Sequence, residues 1–142
     1  MKTVQQLLNA KGGQVYSVAP DCMVIDALRT MAERNIGALV VLDGSKLAGI
    51  FSERDYARKV ALQGKSSADV PVGDIMTREV FTIEPSRTVE ECMALVTAKR
   101  VRHLPVTDGD RLVGLISIGD LVKEVIAEQE QTIRQLESYI HS

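Results

Sequence analysis

The chain contains no tryptophan, three tyrosines and two phenylalanines. Whatever core it builds rests on aliphatic side chains. Cysteine is equally scarce: Cys22 and Cys92 stand alone, with no disulfide framework and no metal spacing around them. Both are expected as helix residues, and reduced thiols suit a cytoplasmic location. No apolar run approaches the roughly 18 residues of a membrane span. The N-terminus MKTVQQLLNAKGG lacks the apolar stretch of a signal peptide. Charge of one sign is missing too. The net charge is −2, with Lys and Arg dispersed, so no basic field for nucleic acid is implied. GxxxxGK, GxGxxG and HExxH are all absent, and no catalytic or metal-binding set takes their place. Asp108-Gly109-Asp110 lacks the later oxygen ligands of a calcium loop and reads as a hairpin turn.

What is present is a duplication. The 142 residues are 45% apolar and 25% charged, as in a globular domain. Val15–Val60 aligns with Val80–Val125 without a gap. About a dozen positions are identical, among them Pro20/Pro85, Val24/Val89, Asp43/Asp108, Gly49/Gly114, Ser52/Ser117 and Asp55/Asp120. Each copy opens on a β-rich stretch (VYSVAP, VFTIEP) closed by proline. Asp21 or Ser86 follows as the expected N-cap. A helical pattern comes next, through Val24, Leu28 and Met31, or Val89, Met93 and Val96. Two strands then meet across Asp43-Gly44 or Asp108-Gly109, a strong hairpin signal. A second helix follows Ser-x-x-Asp. The expected fold is α+β, β-α-β-β-α twice, with the copies packed pseudo-symmetrically because neither can bury an adequate core alone. VQQLL and VGDIM are short lead-in helices. The expected segments are 1–66, 67–127 and a helical extension over 128–142.

Ser52-Glu53-Arg54-Asp55 and Ser117-Ile118-Gly119-Asp120 admit two readings that can coexist. Both are capping-box patterns, in which serine and aspartate satisfy the first amides of a helix. Both also place a carboxylate and a hydroxyl at a helix N-terminus, where ribose hydroxyls or a phosphate could be held.

With this order in hand, the chain resembles a tandem pair of CBS domains, a Bateman module. The residues that carry the resemblance are VGDIMT, the Val18-Ala19-Pro20 and Ile83-Glu84-Pro85 segments, RHLPVTDGDRLVGLIS, and the paired G-x-x-S-x-x-D segments. The resemblance covers nearly the whole chain. It implies a regulatory, non-enzymatic sensor that binds an adenosine ligand between the repeats. AMP is the first choice, with NAD(H), ADP or ATP next. It gives Asp55 and Asp120 the ribose role, beside Ser52 and Ser117. The Asp120 pocket is then expected to borrow Val18, Ala19, Gly37 and Ala38 from copy one, and the Asp55 pocket Ile83, Arg102 and His103 from copy two. Arg54 is expected to reach a phosphate in the Asp120 pocket, whereas Arg58 and Lys59 read as a solvated face. The alternative is a structural dimerisation module with no ligand.

After Asp120 the second helix runs on without glycine or proline. Val122, Ile126, Ile133, Leu136 and Ile140 form an apolar stripe, broken by Glu and Gln between Ile126 and Ile133. A homodimer contact is expected there, since closed twofold dimers are the commonest oligomers. An effector protein is a further expected partner.

Overall fold

Two antiparallel hairpins organise the molecule. In the computed structural model, which describes residues 2–12 and 14–141, β2 (Ala38–Asp43) pairs with β3 (Lys46–Ser52), and β4 (His103–Asp108) with β5 (Arg111–Ser117). The turns fall one residue later than the Asp-Gly signal suggests. Asp43 and Asp108 still pair, with Lys46 and Arg111, and Gly44 and Gly109 each take φ of 64°. Glycine adopts that conformation without a Cβ penalty.

The parallel first strand is weaker than the sequence suggests. In copy one it is β1 (Ser17–Val18), running beside Val40 and Val41. In copy two the expected strand VFTIEP is a single bridge, Ile83 to Val106. The cause is Pro105. Its counterpart Val40 donates its amide to the Tyr16 carbonyl at 3.4 Å. Proline has no amide to give, so the ladder in copy two keeps only the bonds around Ile83.

The first helix of each copy, α2 (Val24–Arg34) and α5 (Val89–Lys99), starts two residues later than expected. Neither Asp21 nor Ser86 caps it. Thr88 caps α5 through a box with Glu91, and α2 has Met23 at its N-cap with no side-chain bond. The first amides of α2 are met instead by the inter-repeat segment: Val24 donates to the Val70 carbonyl and Ile25 to that of Ser67, each at 2.9 Å. Cys22 therefore lies in the preceding turn and not in a helix, whereas Cys92 is buried in α5.

The lead-in helices are exchanged between copies. α1 (Val4–Lys11) buries Val4, Leu7 and Leu8 among Val89, Leu104, Ile116 and Leu121 of copy two. α4 (Val72–Ile75) buries Val72 and Ile75, with Met76, among Val24, Leu39, Phe51 and Val60 of copy one. Each core is thus completed by the helix that precedes the other copy. Gly49 and Gly114 make room for this. A Cβ at Gly49 would lie 2.6 Å from the Thr77 carbonyl oxygen, and one at Gly114 2.5 Å from a Leu8 methyl.

The second helix differs between copies. In copy one α3 (Glu53–Tyr56) passes into a wide π turn over Ala57–Ala61. In copy two α6 (Ile118–His141) is one helix of 24 residues. Its stripe does not fold back onto the chain: Val122, Ile126, Ile133, Leu136 and Ile140 are all exposed.

Candidate functional site

Both Ser-x-x-Asp segments form the predicted caps. The Asp55 amide donates to Ser52 Oγ at 3.3 Å, and the Ser52 amide to Asp55 Oδ2 at 3.0 Å. In copy two the Asp120 amide donates to Ser117 Oγ at 3.1 Å, and the Ser117 amide to Asp120 Oδ2 at 2.9 Å. The strand-to-helix junction places each aspartate in the lining of a cleft between the copies.

The first cleft has a volume of about 530 Å³ and gathers Ser52, Arg54 and Asp55 of copy one with Arg102 and His103 of copy two. The second, about 500 Å³, gathers Ser117 and Asp120 of copy two with Gly37 and Ala38 of copy one. Both volumes fall within the range of small-molecule sites, about 300–1,000 Å³. Gly37 and His103 line both clefts, so the two are adjacent. Arg54 faces the Asp55 cleft, not the Asp120 cleft where it was expected. Val18, Ala19 and Ile83 line neither. Val18 and Ile83 pack against the hydrophobic cores, and the Ala19 carbonyl accepts the Cys22 amide in the turn.

Several lining residues escape sequence reasoning. Lys11, at the end of α1, donates to Asp120 Oδ2 at 2.6 Å and to the Leu115 carbonyl at 2.8 Å. No local pattern announces this, because the exchange of α1 brings it there. Thr77, just after α4, donates its hydroxyl to Asp55 Oδ1 at 3.0 Å. It belongs to the VGDIMT signature, which was the available signal. Lys59, read from the sequence as solvated, pairs with Asp55 Oδ1 at 2.9 Å, and Arg58 lines the same cleft. Arg100 lines it too, from a left-handed conformation with φ of 55°. That conformation is the left-handed C-cap of α5, matched by Asn35 at the end of α2.

The clefts differ in charge. Burial raises the carboxyl of Asp120, but hydrogen bonds from Lys11 and Ser117 outweigh it and hold the group below its ordinary value. His103 is pushed down, first by burial and then by Lys11 and Arg102, so its neutral form is favoured. The Arg54 guanidinium is depressed first by Arg58 and then by Arg102, the mark of like charges facing one cavity. The two thiols are poor nucleophiles. Burial raises both, Cys92 to about 11. Among the described residues, no three His, Cys, Asp or Glu side chains come together as a metal site, and no helix is long and apolar enough to cross a membrane.

The family model for the CBS domain matches twice, over residues 12–62 and 72–127. A mitochondrial CBS domain-containing protein of Arabidopsis thaliana, CBSX3, is 40% identical over 97% of this chain and 71% of its own length. A Burkholderia ambifaria protein with CBS domains, assigned to signal transduction, superposes with a TM-score of 0.86 at 56% identity, covering 90% of this chain and 96% of that one. A hexameric CBS-CP12 protein from bloom-forming cyanobacteria matches with a TM-score of 0.77 at 27% identity, covering 85% of this chain and 66% of that one. The duplicated hairpins, the exchanged lead-ins and the paired helix-start aspartates are thus those of a tandem pair of CBS repeats, and the chain belongs to the CBS-domain family.

Proposed function

We propose that the chain is a regulatory module that binds an adenine nucleotide between its repeats and signals occupancy through a change of shape or of partner affinity. The observation that carries this reading is the Asp120 cleft. A helix-start carboxylate of copy two there faces Gly37 and Ala38 of copy one, whose small side chains leave room for a flat base. A ribose diol would donate to Asp120, and the ammonium of Lys11 is placed for a phosphate. AMP, ADP, ATP and NAD(H) all carry these groups. A ligand shared between copies stabilises one relative placement over another, and that difference in affinity is what a signal requires. We read the module as non-enzymatic and as a homodimer joined through α6. A reducing, cytoplasm-like compartment suits its two unpaired thiols.

The capping boxes favour one competing reading, a ligand-free dimerisation scaffold. Thermal unfolding with AMP, ADP, ATP, NAD+ and NADH separates the two. A ligand at about 100 times its dissociation constant should stabilise the fold by roughly 2.7 kcal/mol, a shift of several degrees at this size. Asp120→Ala should abolish that shift while lowering intrinsic stability by only about 1 kcal/mol, the value of a lost cap. A cap-sized loss with the ligand shift intact would leave Asp120 as a helix cap and nothing more.

A further inference from the structure

We propose that the two clefts hold one ligand between them: a nucleoside whose ribose lies at Asp120 and whose chain of two or more phosphates runs past Gly37 and His103 into the guanidinium cluster of Arg54, Arg58 and Arg102. This rests on the nucleotide-binding reading and adds which part of the ligand each cleft takes. It selects a nucleoside di- or triphosphate over a monophosphate.

The two aspartates, matched in sequence, are chemically unequal. Asp55 is 6% exposed. Its Oδ2 accepts the Ser52 amide and hydroxyl, each at 3.0 Å. Its Oδ1 accepts the Thr77 hydroxyl at 3.0 Å and the Lys59 ammonium at 2.9 Å. Both oxygens are committed, so no edge of this carboxylate is left for a ribose diol. Asp120 is different. Its hydrogen bonds fall on Oδ2, and its side chain keeps 24% exposure. Both aspartates hold an exchanged lead-in, Asp55 through Thr77 and Asp120 through Lys11, but the bonds of Asp120 leave its Oδ1 for a sugar.

The cleft without a sugar grip is the cationic one. Arg54, Arg58, Arg100 and Arg102 line it with no ion-pair partner among the described residues. Glu53 and Glu79 are the further carboxylates in its lining. Mutual repulsion already lowers Arg54. A polyanion relieves that repulsion and matches guanidinium geometry bidentately. A single phosphate on a nucleoside seated at Asp120 is met by Lys11 on its own side, whereas further phosphates need a way across.

Gly37 supplies the way. A Cβ there would meet only Glu53 Oε1, at 3.9 Å, so the space beside it is open. The residue at the same place in the other copy is Arg102, which would fill such a gap. His103 stands at the same junction, subject to Lys11 and Asp120 of one cleft and to Arg102 and Asp55 of the other.

Calorimetric titration of the full chain with AMP, ATP and inorganic tripolyphosphate tests this. The expected result is one ATP per chain, bound more tightly than AMP by about tenfold or more, the worth of one charge-assisted hydrogen bond. Tripolyphosphate should bind by itself and compete with ATP. Arg54→Ala and Arg102→Ala should each weaken ATP by a larger factor than AMP, bringing the two affinities together. Gly37→Val, which needs no unusual backbone angle, should weaken ATP by a larger factor than AMP, while tripolyphosphate still binds. Two ATP per chain, or equal affinities for ATP and AMP, would overturn the shared-ligand proposal and leave nucleotide binding standing. Binding of tripolyphosphate with neither nucleotide bound would overturn both.

Discussion

His103 would join stability to occupancy of the proposed ligand site. Burial is the larger cause of its lowered pKa, and the cations Lys11 and Arg102 add to it against the opposing pull of Asp120 and Asp55. The unfolded chain takes up the imidazole proton near pH 6.5, and the folded chain only at lower pH. The contribution of His103 to stability is therefore complete above about pH 6.5 and declines as the pH falls towards the folded value. His103→Gln should flatten this part of a urea-melt pH series. Binding should respond with the opposite sign. A phosphate beside His103 favours the imidazolium, so ligand affinity should rise on acidification through the same range. Calorimetry in two buffers of different ionisation enthalpy should show proton uptake by the wild type and less by His103→Gln. Equal uptake by both would mean that the phosphates do not pass His103.

The hairpins, the duplicated order and the helix caps at Ser52 and Ser117 were legible in the sequence, because each rests on contacts between residues close along the chain. The exchange of α1 and α4 was not, since a lead-in helix gives the same amphipathic signal whichever core it enters. That is why Lys11 is invisible in the sequence as a partner of Asp120. The shrunken strand of copy two was legible in principle, because Pro105 stands where Val40 donates an amide. The exchange also makes an unequal prediction for two matched glycines. A Cβ at Gly49 would strike the backbone oxygen of Thr77 at 2.6 Å, whereas one at Gly114 would strike the side chain of Leu8 at 2.5 Å. A leucine methyl can change rotamer, but a carbonyl held at 3.0 Å by the Ile50 amide has little freedom. Gly49→Ala should cost about 3 kcal/mol, at the upper end for overpacking, and Gly114→Ala about 1 kcal/mol. Urea denaturation measures both. Equal losses would show that α1 is as rigidly seated as the segment after α4.

For the molecule as a whole, the question is what covers α6. Val122, Ile126, Ile133, Leu136 and Ile140 are between 41% and 74% exposed. Ile126, Ile133 and Ile140 recur every seventh residue, with Leu136 in the alternate position of the same seam. Branched residues at one heptad position with leucine at the other favour two helices running together. Each well-buried apolar side chain contributes about 1.5–3 kcal/mol, and a twofold axis counts every one twice. Ile133→Glu combined with Leu136→Glu removes two contacts per protomer and sets like charges against each other. Both positions lie beyond the segments matched by the family model and outside both inter-repeat clefts. If α6 forms the proposed homodimer, the double variant should sediment as a monomer at concentrations where the wild type sediments as a dimer, and any thermal shift with ATP should be the same for both. A dimer that survives both charges would place the twofold contact on the repeats themselves.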